Sequence, residues 1–201
     1  MNKPDIHQFI SFFQLLLQFR EVERRTRIPA HPDEHENDAE HSYLLSMMSW
    51  YLSTHFPHLD SNLVIKIALT HDLVETYAGD TFPYDQDHVA TKKARESKAL
   101  ERLTRDWPDF PAMLESIQQY EDRESKEAKF VYAVDKILPT IIHFLGEGRG
   151  WHEYNFSLDD IVAEKTTKAD ISPEVSEYYA QLLELLKENL HLFPNSTNPN
   201  S

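Results

Sequence analysis

The strongest constraint in this chain is an apolar helical stripe that turns ionic. Val64 and Ala68 begin the stripe, and His71, Asp72 and Glu75 continue it. On a helix His71 and Glu75 are an i,i+4 pair and Asp72 and Glu75 an i,i+3 pair, so all three lean to roughly one face. Burying charged groups without partners costs several kcal/mol or more. A bound metal cation is the simplest compensation for an adjacent His-Asp pair. Gly79-Asp80 ends this helix, and a glycine just past the last turn suits a left-handed C-cap.

A second stripe poses the same problem. Phe130, Val131, Val134, Leu138, Ile141 and Ile142 mark the apolar face of a helix over about 125–146, and Asp135 lies inside it. An isolated buried carboxylate is raised in pKa and destabilising, so Asp135 also needs a cation. Lys136 is adjacent but points about 100° away on a helix. Pro139 lacks the N–H that would bond the carbonyl of residue 135, so the helix is expected to kink or loosen at the carboxylate.

A third element supplies His41. Asn37-x-x-Glu40 reads as a capping box opening a helix over about 38–55. His41 falls in its first turn, where the helix dipole disfavours a positive imidazole and favours the neutral, metal-binding form. Tyr43, Leu44, Leu45, Met47, Met48, Trp50, Tyr51 and Leu52 are expected to provide core.

The remaining segments are helical or polar. A first helix over about 5–26 carries Phe9, Phe12, Phe13, Leu16, Leu17 and Phe19, then turns basic at Arg20, Arg24, Arg25 and Arg27. Those cations either complement the helix dipole or form an anion site. Residues 28–37 contain two prolines and dense acids and read as a loop, with His31 and His35 solvated. The motif helix covers about 61–77, and a loop follows to about 87. A mostly polar helix over about 87–106 presents Lys92 and Arg95 near the Gly79-Asp80 loop, and further helices fall at about 109–122, 157–168 and 173–191. Residues 146–151 read as a break. Residues 1–193 form one domain, and 194–201 read as a disordered polar tail. The class is all-α, an arrangement of helices with no convincing strand.

Composition removes several functions. The chain of 201 residues has no cysteine, which excludes disulfides, thiolate metal sites and a catalytic cysteine. Four glycines against eleven prolines argue against a glycine-rich phosphate loop. A net charge of −14 disfavours nucleic acid as a large partner. No stretch reads as a membrane span or a signal peptide, so a cytoplasmic location is expected. A homodimer is the oligomer left open.

Collected in order, His41, His71, Asp72 and Asp135 make a mixed nitrogen and oxygen donor set. It suits one divalent ion, Mg²⁺ or a first-row metal such as Mn²⁺ or Co²⁺, and not a soft one. This His…His-Asp…Asp pattern resembles the HD-domain superfamily of metal-dependent phosphohydrolases. The elements that carry the resemblance are Ala39-Glu40-His41-Ser42, then His71-Asp72-Leu73-Val74-Glu75 with Gly79-Asp80, then Phe130 to Lys136. Within the superfamily the spacing looks like that of the branch containing the 5′-deoxynucleotidases.

The resemblance implies an HD-domain helical bundle with those four ligands on one mononuclear ion. It also implies that Glu75 works beside the metal-bound water and that Asp80 faces a sugar. The Arg-Trp pair that the branch uses for phosphate and base is absent here, since Ile28 follows Arg27. Arg24, Arg27, Lys92 and Arg95 are the substrate-binding candidates. The expected activity is release of phosphate from a small phosphomonoester, a (deoxy)nucleoside 5′-monophosphate among them. The competing readings are a pyrophosphohydrolase or phosphodiesterase of the same superfamily, and a non-catalytic binding module stabilised by its metal.

Overall fold

A computed structural model of the chain describes residues 3–82 and 85–194. Helix α1 (Ile6–Arg20) opens on Asp5, whose carboxylate accepts the Gln8 N–H at 2.8 Å in a capping box. It stops at Arg20, six residues short of the expected end. The chain then forms an antiparallel hairpin, with β1 (Glu23–Ile28) where the end of the first helix was expected and β2 (His31–Asn37) where a loop was expected.

The hairpin escaped a reading based on apolar alternation because its cross-strand contact is ionic. Arg24 Nε lies 3.4 Å from Glu36 Oε2. Pro32 is tolerated because both strands of a two-stranded sheet are edges.

Helix α2 (Asp38–Ser53) opens on the Asn37–Glu40 capping box. Its buried face is not the expected one. Leu45 and Leu52 are inside, but so are His41, Ser42, Ser46, Ser49 and Ser53, whereas Tyr43, Met47, Trp50 and Tyr51 are exposed. Small inward side chains let α2 lie closely along α3 (Ser61–Thr70). The stripe of α1 is likewise mostly outside, with Phe9 66% exposed and Leu15 and Phe19 buried.

The motif helix expected over 61–77 is divided. After Thr70 the backbone makes bonds three residues back, Leu73 N–H to Thr70 O at 3.1 Å and Glu75 N–H to Asp72 O at 2.8 Å. These tight turns lead into the single-turn helix α4 (Glu75–Ala78), and Gly79 then takes φ +74°, ψ 152°. That conformation is not the left-handed helical cap expected, but its positive φ still favours glycine.

The chain continues through α5 (Gln86–Asp106), α6 (Pro111–Asp122), α7 (Lys126–Leu145), α8 (Arg149–Tyr154), α9 (Leu158–Ala169), α10 (Pro173–Glu188) and a 3₁₀ turn at Leu190–Leu192. Helix α8 occupies part of the expected break, and α7 runs through Pro139 as one element. The tail expected at 194–201 lies, beyond Pro194, outside the described residues. Among the described residues no helix is long and apolar enough to cross a membrane.

Helix α7 is the centre of the main core. Phe130, Val131, Val134 and Leu138 pack with Leu45, Val64, Ile67, Ala68, Val175 and Tyr179. A second cluster joins Leu15, Phe19, Leu73, Val74, Leu103 and Met113. The ionic residues emerge at the seam between them, since Ala68 belongs to the first and Leu73 to the second.

Ser49 tests the packing of α2. It is fully buried and its hydroxyl has no hydrogen-bond partner. Ser49→Ala is expected to keep or raise the melting temperature, because it removes an unsatisfied group and improves helix propensity. Ser49→Leu is expected to cost about 1–3 kcal/mol by overpacking against α3. Thermal unfolding of the two variants reads both effects.

Candidate metal centre

Three elements place the candidate ligands. His41 comes from α2, His71 and Asp72 from the tight turns after α3, and Asp135 from the middle of α7. Ligand atoms of His41, His71 and Asp72 lie within 4.8 Å of one another. Asp135 Oδ1 is 3.0 Å from His41 Nε2 and 3.9 Å from His71 Nε2. Both imidazoles and Asp135 are buried.

His71 provides the chemical test of whether a cation fits. Its Nδ1 lies 3.0 Å from the Ala68 carbonyl oxygen, which can only accept, so Nδ1 carries the proton. Nε2 then presents a lone pair. It is buried, has no hydrogen-bond partner, and sits 2.9 Å from Asp72 Oδ2. With the ring neutral these are two acceptors facing each other, an arrangement that a cation between them satisfies. Adjacent donors around a small ion, each about 2.1 Å from it, are separated by about 3 Å. The residues fit a divalent cation.

Each candidate ligand is braced from behind. His41 Nδ1 lies 3.5 Å from Glu36 Oε2. Asp72 Oδ2 accepts from Arg24 Nη1 at 2.9 Å. Asp135 Oδ2 accepts from the Tyr120 hydroxyl at 2.5 Å and lies 2.5 Å from Lys136 Nζ, leaving Oδ1 toward the histidines. Such outer partners fix ring and carboxylate orientation. Lys136 was expected to point away; its long stem bends back to its neighbour.

With the protein's own groups alone, burial and the Arg24 charge oppose a proton on His41, but the hydrogen bonds to Asp135 and Glu36 prevail and push it up to about 9. The helix terminus was expected to favour the neutral ring, and these hydrogen bonds oppose it, so metal binding there is coupled to proton release. Despite burial, His71 and Arg24 hold Asp72 well below the usual carboxylate range. Lys136 and His41 do the same for Asp135, again against burial.

Glu75 behaves oppositely. It is buried, and desolvation with the charges of Asp72, Asp38 and Asp80 pushes it well above the usual range despite Arg24. Its Oε2 is buried without a partner. Asp38 joins this acidic group; burial and Asp72 push it up to about 7.

A cavity of about 490 Å³ opens over the site. His71, Asp72, Glu75, Asp80 and Asp135 line it, as do Arg24 and Lys92. Arg24 is largely engaged by Glu36, Asp38 and Asp72, and Lys92 Nζ lies 3.3 Å from Glu96. The other two cationic candidates do not line the cavity. Arg27 pairs with Glu153 at 2.5 Å, and Arg95 clamps the carbonyls of Ala78 and Gly79 and the Thr81 hydroxyl.

Sequence reasoning missed Lys136, Tyr120 and Arg123, which also line the cavity. The guanidinium of Arg123 lies 4.7 Å over the Tyr132 ring, on a residue with φ +50°. The available signal was Arg123 itself, a basic residue just beyond the expected end of the 109–122 helix.

Two measurements test the centre. Asp135→Asn is expected to lower metal content sharply by elemental analysis. Chelation is expected to lower the melting temperature of the parent protein, since an ion at a hundred times its Kd adds about 2.7 kcal/mol. Deeper in the cavity, burial and the Lys165 charge push His143 down to about 4. The unfolded chain therefore takes up a proton before the folded one does. Stability present above pH 6.5 is expected to fall as pH drops toward 4, by on the order of 2 kcal/mol from this residue. His143→Gln should flatten that part of a melting-temperature profile.

Comparison with known proteins places this geometry in context. The profile of the HD domain family matches residues 16–176. The 5′-deoxynucleotidase HDDC2 of Bos taurus is 30% identical over 138 residues, covering 68% of this chain and 66% of that protein. The human protein of the same name is 27% identical, covering 63% of this chain and 62% of that one. The chain thus spans just under two thirds of the length of these curated relatives. A crystal structure from Magnetospirillum magnetotacticum, described as a predicted metal-dependent phosphohydrolase, superimposes with a TM-score of 0.80. It is 28% identical and covers 94% of this chain and 96% of that one. The chain belongs to the HD domain family.

Proposed function

We propose that this chain is a metal-dependent phosphohydrolase that releases phosphate from a (deoxy)nucleoside 5′-monophosphate. The observation that carries the reading is Glu75. Its carboxyl is buried, is pushed above the usual carboxylate range by desolvation and the surrounding acids, and leaves Oε2 unpartnered in the cavity wall beside Asp72. A glutamate kept only for structure would be paired. The relatives named 5′-deoxynucleotidase support the substrate class.

His41, His71, Asp72 and Asp135 would hold one divalent ion, with Mn²⁺, Co²⁺ or Mg²⁺ matching the donors. When bound, it supplies Lewis acidity toward a phosphoryl oxygen and lowers the pKa of water. The side chains do the rest. Arg24, Lys92, Lys136 and Arg123 give the cavity the local positive charge that a chain of net charge −14 must have to receive an anion. Asp80 stands on the cavity wall to meet the sugar. As water adds to phosphorus and the ester P–O bond breaks, Glu75 gives its proton to the leaving oxygen. It recovers a proton from the attacking water.

The outward apolar face of α1 and α2, with Phe9, Phe13, Tyr43, Met47 and Trp50 exposed, supports a homodimer that buries it.

Glu75→Gln is the direct test. It is expected to keep the fold and the metal and to lose kcat by about 10²–10⁴-fold, because a positioned proton carrier contributes that much. Phosphate release per metal-loaded, folded molecule is the quantity to compare. Near-parental turnover would remove Glu75 from the chemistry.

A further inference from the structure

Asp80 stands on a loop that leaves α4, a helix of one turn (Glu75–Ala78), and runs to α5 (Gln86–Asp106). A helix this short does not hold its shape unaided, so contacts from elsewhere must set it. Gly79 precedes Asp80 at φ +74°, with open space where a Cβ would be. Glycine is therefore there for its backbone freedom and not for room. That freedom leaves the direction of Asp80 to be fixed from outside the loop.

One side chain of α5 supplies the restraint. Arg95 donates through Nη1 to the Ala78 carbonyl and, at 3.4 Å, to the Gly79 carbonyl. Its Nη2 donates to the Thr81 hydroxyl at 2.7 Å and to the His88 carbonyl at 3.2 Å. A single guanidinium thus holds both residues that flank Asp80 and ties them to the first turn of α5. Arginine suits the task because its donors are spread over a rigid planar fork, whereas an ammonium directs its donors from one point. Ala78 and Gly79 also end α4, where an arginine can bond the last carbonyls. Thr81 is buried. Asp80 and Thr81 line the cavity, and Arg95 stands behind them.

A second arginine of α5 offers a comparison. Arg102, about two turns further on, lies 3.7 Å over the Tyr77 ring. It holds α4 against α5 through a contact three residues before Asp80.

We propose that Arg95 is a positioning residue for the substrate. By clamping Ala78, Gly79 and Thr81 it aims Asp80 into the cavity, and so it sets substrate affinity and not the chemical step. This rests on the nucleotidase reading above, with Asp80 at the sugar, and adds the residue that holds that contact in place. The chemical step is spared because Glu75 is anchored at the other end of α4, its N–H donating to the Asp72 carbonyl at 2.8 Å. His41, His71, Asp72 and Asp135 all lie outside the clamped segment.

The test is a double-mutant cycle, with kcat and KM measured separately per folded, metal-loaded molecule. The substrate is whichever of dAMP, dCMP, dGMP and dTMP turns over fastest. Arg95→Gln is expected to raise KM about 10-fold while kcat stays within about threefold, since a misplacement of about 1 Å can cost up to about 10²-fold. Asp80→Asn is expected to raise KM by itself. In that background Arg95→Gln should add less than about twofold, because residues that act through one another are not additive. Arg102→Met is expected to lower the melting temperature and leave KM unchanged. If Arg95→Gln fails to fold, Arg95→Lys, which keeps the charge and loses the fork, carries the same cycle. An unchanged KM in either single variant, additive effects in the cycle, or an equal rise of KM in Arg102→Met would overturn the positioning role and leave the nucleotidase reading intact. No phosphate release from any deoxynucleoside monophosphate would overturn both.

Discussion

Everything near the cavity depends on a contact between two atoms that both accept while the His71 ring is neutral. His71 Nε2 and Asp72 Oδ2 face each other at 2.9 Å, and the single proton of the neutral ring is held at Nδ1 by the Ala68 carbonyl. A second ring proton or a cation between them removes the repulsion, and a cation does so while leaving both side chains as ligands. The surroundings are arranged for that. Arg24 steadies Asp72 from one side, while Tyr120 and Lys136 steady Asp135 from another. Ions bound at such a centre therefore add to folding as well as to chemistry.

The same acids explain why Glu75 differs from its neighbours. Asp72 and Asp135 each have a cationic side chain close by and stay ionised. Glu75 is desolvated and has three carboxylates in its field with Arg24 in opposition, so its pKa is pushed well above the usual carboxylate range. One small volume thus contains carboxyls pushed in opposite directions. Environment alone separates them, since all are ordinary carboxylic acids.

The sequence made the clustering of the candidate ligands legible because charge inside an apolar stripe is a signal that needs no tertiary information. Asp135 among Phe130, Val134 and Leu138 is the clearest instance. Helix positions were legible for the same reason, apart from their ends. The β1–β2 hairpin was not, because Arg24 meets Glu36 across it and no apolar period marks the strands. Nor was the division of the motif helix, since Leu73 and Val74 are apolar enough to continue either a helix or a turn. The cations of the cavity were half legible. Arg24 and Lys92 line it, but Arg27 and Arg95 have other partners, and a list of basic residues cannot say which are already engaged. Lys136 was misplaced because backbone direction was read as side-chain direction.

Helix α2 shows how the metal centre reaches back into the sequence. His41 Nε2 can stand 3.0 Å from Asp135 Oδ1 only if the backbones of α2 and α7 approach closely. Large side chains between α2 and its neighbours would hold them apart, since interhelical distance follows the residues at the contact. Serines at 42, 46, 49 and 53 remove that obstacle along the whole inner face. Leu45 and Leu52 are the buried leucines of α2, and Ala39 packs against the second cluster. The bulky residues of α2 are consequently displaced outward, where a hydropathy reading takes them for core. An inverted helix, small and polar inside and apolar outside, is what a buried ligand pair on two closely packed helices requires. The exposed Trp50 and Met47 are then a consequence of where His41 has to be.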